Sequence, residues 1–172
     1  MTGRVLTLEE VCAWRAAAAR RGQRVVLTNG CFDLLHVGHV QSFEVGRSFG
    51  DCLLVGVNSD RSVAQLKGPG RPLVPEQERA ALLAALRMVD AVTIFDEPTA
   101  VRLVEALRPD VYVKGADYAG SGPGGVDEAR LPEAAAVRRG GGVVRLVPSV
   151  PGASTSALIA RMADLARRGL RR

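Results

Sequence analysis

Arg24-Val25-Val26-Leu27-Thr28-Asn29-Gly30-Cys31-Phe32-Asp33-Leu34-Leu35-His36-Val37-Gly38-His39 is the stretch from which the fold follows. Its apolar, β-branched start halts at Asn29-Gly30, and a segment of helical period then runs as far as Phe49. That pattern is a strand passing through a tight glycine turn into the first turn of a helix, the kind of α/β junction at which nucleotides bind. A helix start has N–H groups without partners and a partial positive charge, so it holds a phosphate without a cationic side chain. Gly30 and Gly38 let the backbone come close. His36 and His39, three apart, share one side of that turn, and both rings reach one phosphoryl group. Their N–H groups would donate to oxygens whose charge grows in the transition state. A histidine here also reads as a cap or surface residue, and a pair at this spacing as half of a metal site. The chain has only these two histidines, so further ligands of a closed site would have to be carboxylates or distant cysteines.

Outward from this junction, strand-like runs at residues 25–29, 52–58, 91–95, 110–114 and 143–147 alternate with helical segments. Runs without polar alternation indicate parallel strands covered on both faces. Upstream, Thr7-Leu8-Glu9-Glu10 reads as an N-cap with an acidic first turn, opening a helix that Gly22 closes. Residues 1–23 are therefore expected to form a leading helix packed outside the main unit, with residues 24–172 as that unit, in a single domain overall. A length of 172 residues suits one α/β domain.

Lys and Arg number 23 against 18 Asp and Glu, a net charge of +5 that suits anionic substrates but is modest for a nucleic-acid binder. Aromatics at 4% supply no stacking platform for single strands. Arg161, Arg167, Arg168, Arg171 and Arg172 complement the negative end of a terminal helix. Cys12, Cys31 and Cys52 form neither a CxxC pair nor a disulfide framework, and no apolar run approaches the ~20 residues that cross a bilayer. The expectation is a cytoplasmic protein with no membrane or nucleic-acid partner.

Gly30-Cys31-Phe32-Asp33-Leu34-Leu35-His36-Val37-Gly38-His39 resembles the GxFDxxHxGH signature of the cytidylyltransferase-like nucleotidyltransferases, which join a nucleoside monophosphate from a triphosphate to a phosphorylated small molecule. Later segments match the family in order. Asn58-Ser59-Asp60 follows the second strand, where it also reads as an Asx turn or helix cap, and precedes a cationic loop, Lys67-Gly68-Pro69-Gly70-Arg71-Pro72. Arg79 stands in early helical turns, where a cation opposes the dipole and an anionic partner would explain it; a salt bridge to Glu76 is the alternative. Val113-Lys114-Gly115-Ala116-Asp117-Tyr118 resembles the VKGxDY segment of the sugar-phosphate adenylyltransferase branch. Ser154-Thr155-Ser156 matches the hydroxyl element that holds outer phosphates, and by itself reads as an ordinary N-cap.

The resemblance implies a Rossmann-like, doubly wound α/β/α sandwich of five parallel strands in the order 3-2-1-4-5. It implies catalytic roles for His36, His39, Lys67 and Arg79. Nucleotide contacts fall to Asn29, Gly30, Cys31, Phe32, Gly38, Lys114, Gly115, Asp117, Ser154, Thr155 and Ser156, and acceptor contacts to Asp33, Asn58, Asp60 and Arg71. Mg2+ would enter with the nucleoside triphosphate, no metal motif being present. The likeness favours ATP and a heptose 1-phosphate, with a separate sugar kinase upstream and a possible homodimer. Val150 or Pro151 stands where one branch has an arginine, which counts against glycerol phosphate as acceptor. A CTP-dependent enzyme acting on an alcohol phosphate, or a nucleotide-binding module without turnover, are the alternatives. The glycine-rich residues 119–125 read as an insertion, a lid or a disordered loop, and lack the Lys-Ser/Thr of a phosphate loop.

Overall fold

The computed structural model describes residues 3–121 and 125–169; part of the Gly120-to-Gly125 insertion, with Arg171 and Arg172, lies outside the described residues. Six strands, β1 (Arg4–Val5), β2 (Val25–Gly30), β3 (Cys52–Asn58), β4 (Ala91–Phe95), β5 (Val111–Gly115) and β6 (Val143–Val147), form one sheet in the order β1-β4-β3-β2-β5-β6. Every pairing is parallel. The helices are α1 (Leu8–Arg20), α2 (Val37–Arg47), α3 (Asp60–Lys67), α4 (Glu76–Ala84), α5 (Val101–Leu107), α6 (Glu133–Arg139) and α7 (Thr155–Arg167).

The expected five-stranded sheet in the order 3-2-1-4-5 is corrected to six strands. The additional one, β1, registers Arg4 with Ala91 and Val5 with Val92 at the sheet's edge, and two residues are too few to leave a pattern in sequence. With it, α1 becomes part of the layered body, not a helix outside it: Val11 and Ala18 are fully buried in the core. Thr7 starts α1 with a capping box shared with Glu10. Helix α6 begins at Glu133, after Asp127 has turned the chain by accepting from the N–H groups of Ala129 and Arg130.

Period-two alternation along the strands separates two cores. Val25, Leu27, Leu54 and Tyr112 face α1, α5 and α6; Val26, Leu53, Val55 and Val113 face α2 and α4. Leu27, Leu53 and Leu54 are fully buried, each stabilising the fold by about 1.5–3 kcal/mol. Strand β2 pairs with β3 on one side and β5 on the other, and connections leaving in opposite directions open a crevice above the strand ends there.

Candidate active site

A cavity of about 690 Å³ occupies that crevice. It is lined by Asn29, Gly30, Cys31, Phe32, Asp33, His36, Gly38, His39, Asn58, Lys67, Arg71, Lys114, Gly115, Asp117, Ser154, Thr155 and Ser156, so most of the expected site is brought together. Arg79 and Asp60 are the two that do not line it.

On the α2 side, His36 is the N-cap of the helix, with extended backbone, and its ring stacks on that of His39 at 3.8 Å. Phe32, held at φ +48°, meets His39 edge-on at 5.2 Å. A Cβ on residue 38 would lie 3.0 Å from the His36 ring and 3.3 Å from Ala153 Cβ, so glycine there lets the ring and the α7 entry close on α2. Burial, reinforced by the neighbouring His36, pushes His39 down to about 4, and burial also lowers His36. Both rings are thus neutral at pH 7. Among the described residues each Nδ1 is buried without a protein hydrogen-bond partner.

The start of α7 faces the same end. Ser154 caps it by accepting from the Ala157 N–H at 3.0 Å, and the Thr155 hydroxyl donates to the Leu34 carbonyl at 3.3 Å, tying α7 to the turn ahead of α2. Two helix N-termini therefore converge beside the imidazoles, a seat for more than one phosphate.

The cationic loop is anchored from below. Asp33 accepts from Arg71 Nε at 2.6 Å and from the N–H groups of Leu73 and Val74 at 2.7 and 2.9 Å. Burial opposes its ionisation, but these donors prevail and hold the carboxyl below its ordinary value. Although Asp33 lines the cavity, its carboxylate is spent on its own loop. Asn58 is likewise committed, its amide donating to the Ser62 hydroxyl at 2.9 Å. Lys67, exposed at the end of α3, and Arg71 are the cations over this part of the cavity.

Arg79 takes a different place from the one expected. Its side chain has no exposed surface and donates to the carbonyls of Val74, Cys31 and Asn58 and to Asp60 Oδ1, at 2.5–2.8 Å. The guanidinium knots β2, β3, α3 and the loop before α4 together beneath the cavity instead of facing a phosphate, and Asp60 is its counter-ion instead of an acceptor contact. Glu76, the alternative partner, accepts from the Asp60 N–H.

Across the sheet, toward α5 and α6, Lys114 Nζ donates to the Asn29 carbonyl and side-chain oxygen, each at 3.1 Å, while Tyr112 donates to that same side-chain oxygen at 2.5 Å. Burial lowers the Lys114 ammonium, and Glu133, Asp117 and Cys31 oppose the shift. Burial raises the Cys31 thiol, leaving it a poor nucleophile. Glu133, Arg130, Tyr118 and Thr99 line the cavity here without having been singled out in the sequence. Glu133 is 5% exposed and accepts from the Ala100 N–H at 2.7 Å. In sequence it is one acid in a helical first turn; only its place after Pro132 set it apart. The base of the glycine-rich insertion is closed by an Ala119–Val126 bridge and a hydrogen bond from Gly120 to Gly125. Among the described residues no group of His, Cys, Asp or Glu is arranged to hold a metal ion, and no helix is long and apolar enough to cross a membrane.

The comparisons with known proteins agree with this geometry. The bifunctional protein HldE of Koribacter versatilis is 56% identical over 152 residues, covering 88% of this chain and 29% of that protein. The bifunctional protein HldE of Methylobacillus flagellatus is 49% identical over 157 residues, covering 91% and 30%. The chain thus spans about three-tenths of the length of these curated relatives. Among solved structures, the lipopolysaccharide core biosynthesis protein from Thermoplasma volcanium matches with a TM-score of 0.57 and 28% identity, over 75% of this chain and 98% of that one. The Cytidylyltransferase-like family model matches residues 27–161, from β2 into α7 and so across both helix starts of the cavity, and the chain belongs to the cytidylyltransferase-like family of nucleotidyltransferases.

Proposed function

We propose that this domain transfers AMP from ATP to the phosphate of a sugar phosphate, with a heptose 1-phosphate as the acceptor, giving an ADP-sugar and pyrophosphate. The observation that carries this reading is the convergence of two helix N-termini and a stacked imidazole pair on one end of the cavity. An acceptor phosphate oxygen attacks the α-phosphorus in line; the new P–O bond forms as the bond to the β-phosphate bridging oxygen breaks, and pyrophosphate leaves. The acceptor is already anionic, so no general base and no covalent enzyme intermediate are needed, and positioning with charge stabilisation supplies the rate.

His36 and His39 hold the α-phosphate and donate to its developing charge. The N–H groups at the start of α7 hold the outer phosphates, and Lys67 and Arg71 neutralise the leaving pyrophosphate. Arg79 acts through the turn it ties down. Mg2+ would enter with the triphosphate, where the ion would supply charge neutralisation. Phosphorylation of the acceptor falls to a sugar kinase, in keeping with the word bifunctional in the relatives' name.

Pyrophosphate release, measured over a panel of nucleoside triphosphates and sugar phosphates, tests the reading. Turnover with ATP and a heptose 1-phosphate is expected to exceed that of every other pair. Preference for CTP with an alcohol phosphate, or triphosphate binding without turnover for all pairs, would overturn it.

A further inference from the structure

Tyr112 carries a hydroxyl into a core that has no need of one. Its ring is fully buried in the core that holds Leu27 and Leu54, and it does not line the cavity. Leucine or phenylalanine fills such a place with no polar atom to satisfy, whereas a buried hydroxyl costs stability unless it is paired. Its partner is Asn29. Strands β2 and β5 set Leu27 opposite Tyr112, so Asn29 and Lys114, two residues further along each strand, share that face and stand where the strands meet the cavity. The phenol spans this diagonal and donates to Asn29 Oδ1 at 2.5 Å, and the Lys114 ammonium donates to the same oxygen at 3.1 Å. An ammonium only donates, so the amide atom facing it is the oxygen, and the NH2 group of Asn29 is turned the other way. Among the described residues that NH2 group has no protein acceptor, and it is not one of the buried unpartnered atoms. On the other side Gly56, opposite Asn29 in β3, leaves the room: a Cβ there would lie 3.2 Å from Asn29 Cβ.

Resting on the transferase reading, we propose that Tyr112 is a positioning residue, which with Lys114 locks the Asn29 amide so that its NH2 group donates to the phosphoryl group being transferred. One donor on the oxygen decides which way the amide is flipped; two fix the tilt of its plane as well. Asn29 leads directly into the turn at Gly30, and Phe32 in that turn meets His39 edge-on, so the side chain that Tyr112 holds belongs to the same rigid segment as the imidazoles. A donor held in place where charge develops raises kcat more than it tightens the ground state.

Tyr112→Phe keeps the ring and removes the hydroxyl. It is expected to lower kcat about fivefold to tenfold, the worth of one neutral hydrogen bond, with KM for either substrate changed less than about twofold. In an Asn29→Ala background the same substitution is expected to change kcat less than about twofold, since no amide is left to hold. Unchanged kcat in Tyr112→Phe, a raised KM in its place, or an equal loss of kcat in both backgrounds overturns the proposal. A second readout needs no turnover and no second variant. In a heteronuclear NMR spectrum the Asn29 side-chain NH2 group is expected to give one sharp pair of signals in the wild type and a broadened, shifted pair in Tyr112→Phe; identical pairs overturn the proposal too. Wild-type protein that turns over no substrate pair removes the transferase reading and with it the role at the phosphoryl group, while turnover with kcat unmoved in Tyr112→Phe removes the positioning role alone.

Discussion

His39 is neutral because it is buried, and that has a consequence for stability. In the unfolded chain an imidazole titrates near about 6.5; in the fold burial and the stacked His36 bring it to about 4. Between those values the unfolded state holds a proton that the native state does not, so stability is present in full above about pH 6.5 and is lost as pH falls toward about 4. The full displacement corresponds to at most about 3 kcal/mol. His39→Asn, which has no proton to gain, is expected to lose less of its melting temperature than the wild type between pH 7 and pH 4.5. Thermal melts at a series of pH values check this; parallel curves would show that His39 is not held neutral by the fold. The same neutrality suits the chemistry. A ring without charge in the free enzyme leaves its proton affinity to be raised by an arriving phosphate, so the donor gains strength as negative charge gathers.

At the scale of elements, Arg79 decides whether the ends of β2 and β3 and the loop before α4 hold together. Its removal leaves three backbone carbonyls beneath the cavity without their donor, and the half-exposed Asp60 without its counter-ion. Arg79→Lys keeps the charge but cannot span four acceptors with one ammonium, so the variant is expected to lose about 3–5 kcal/mol in a urea titration. Normal stability with lost turnover would instead return Arg79 to direct contact with substrate. This residue also marks where sequence reasoning stops. Its position in an early helical turn indicated an anionic partner, but spacing along one helix cannot tell a phosphate from Asp60 and the carbonyls of three other segments. The strand–turn–helix at residues 25–39 was legible because its signals are local: a β-branched run, glycines at the turn and two histidines one turn apart. Strand β1 was too short to leave a period, and Glu133 looks like any acid at a helix start until the sheet brings α6 beside Lys114. Asp33 read as a ligand contact because the loop it anchors is about forty residues away in sequence.

Across the whole molecule, the core and the candidate site are separable at one end. Helix α7 contributes no fully buried side chain, and Met162 and Leu165 on it are 60% and 41% exposed. The two hydrophobic cores are built from the strands and from α1, α2, α4, α5 and α6, and they close without α7. A helix that adds so little to packing yet presents its N-terminus to the cavity is there for what it binds. Ending the chain after Ala153 should therefore leave a cooperatively folding protein whose melting temperature falls by only a few degrees, since about 1 kcal/mol shifts a domain of this size by about 2–4 °C. Triphosphate affinity, read by isothermal titration on the same sample, is expected to fall about 100-fold, because the N–H groups that would hold the outer phosphates leave with α7. A truncated chain that does not fold would show that α7 supports the cores after all, and one that binds triphosphate as before would place the phosphate seat on α2 alone.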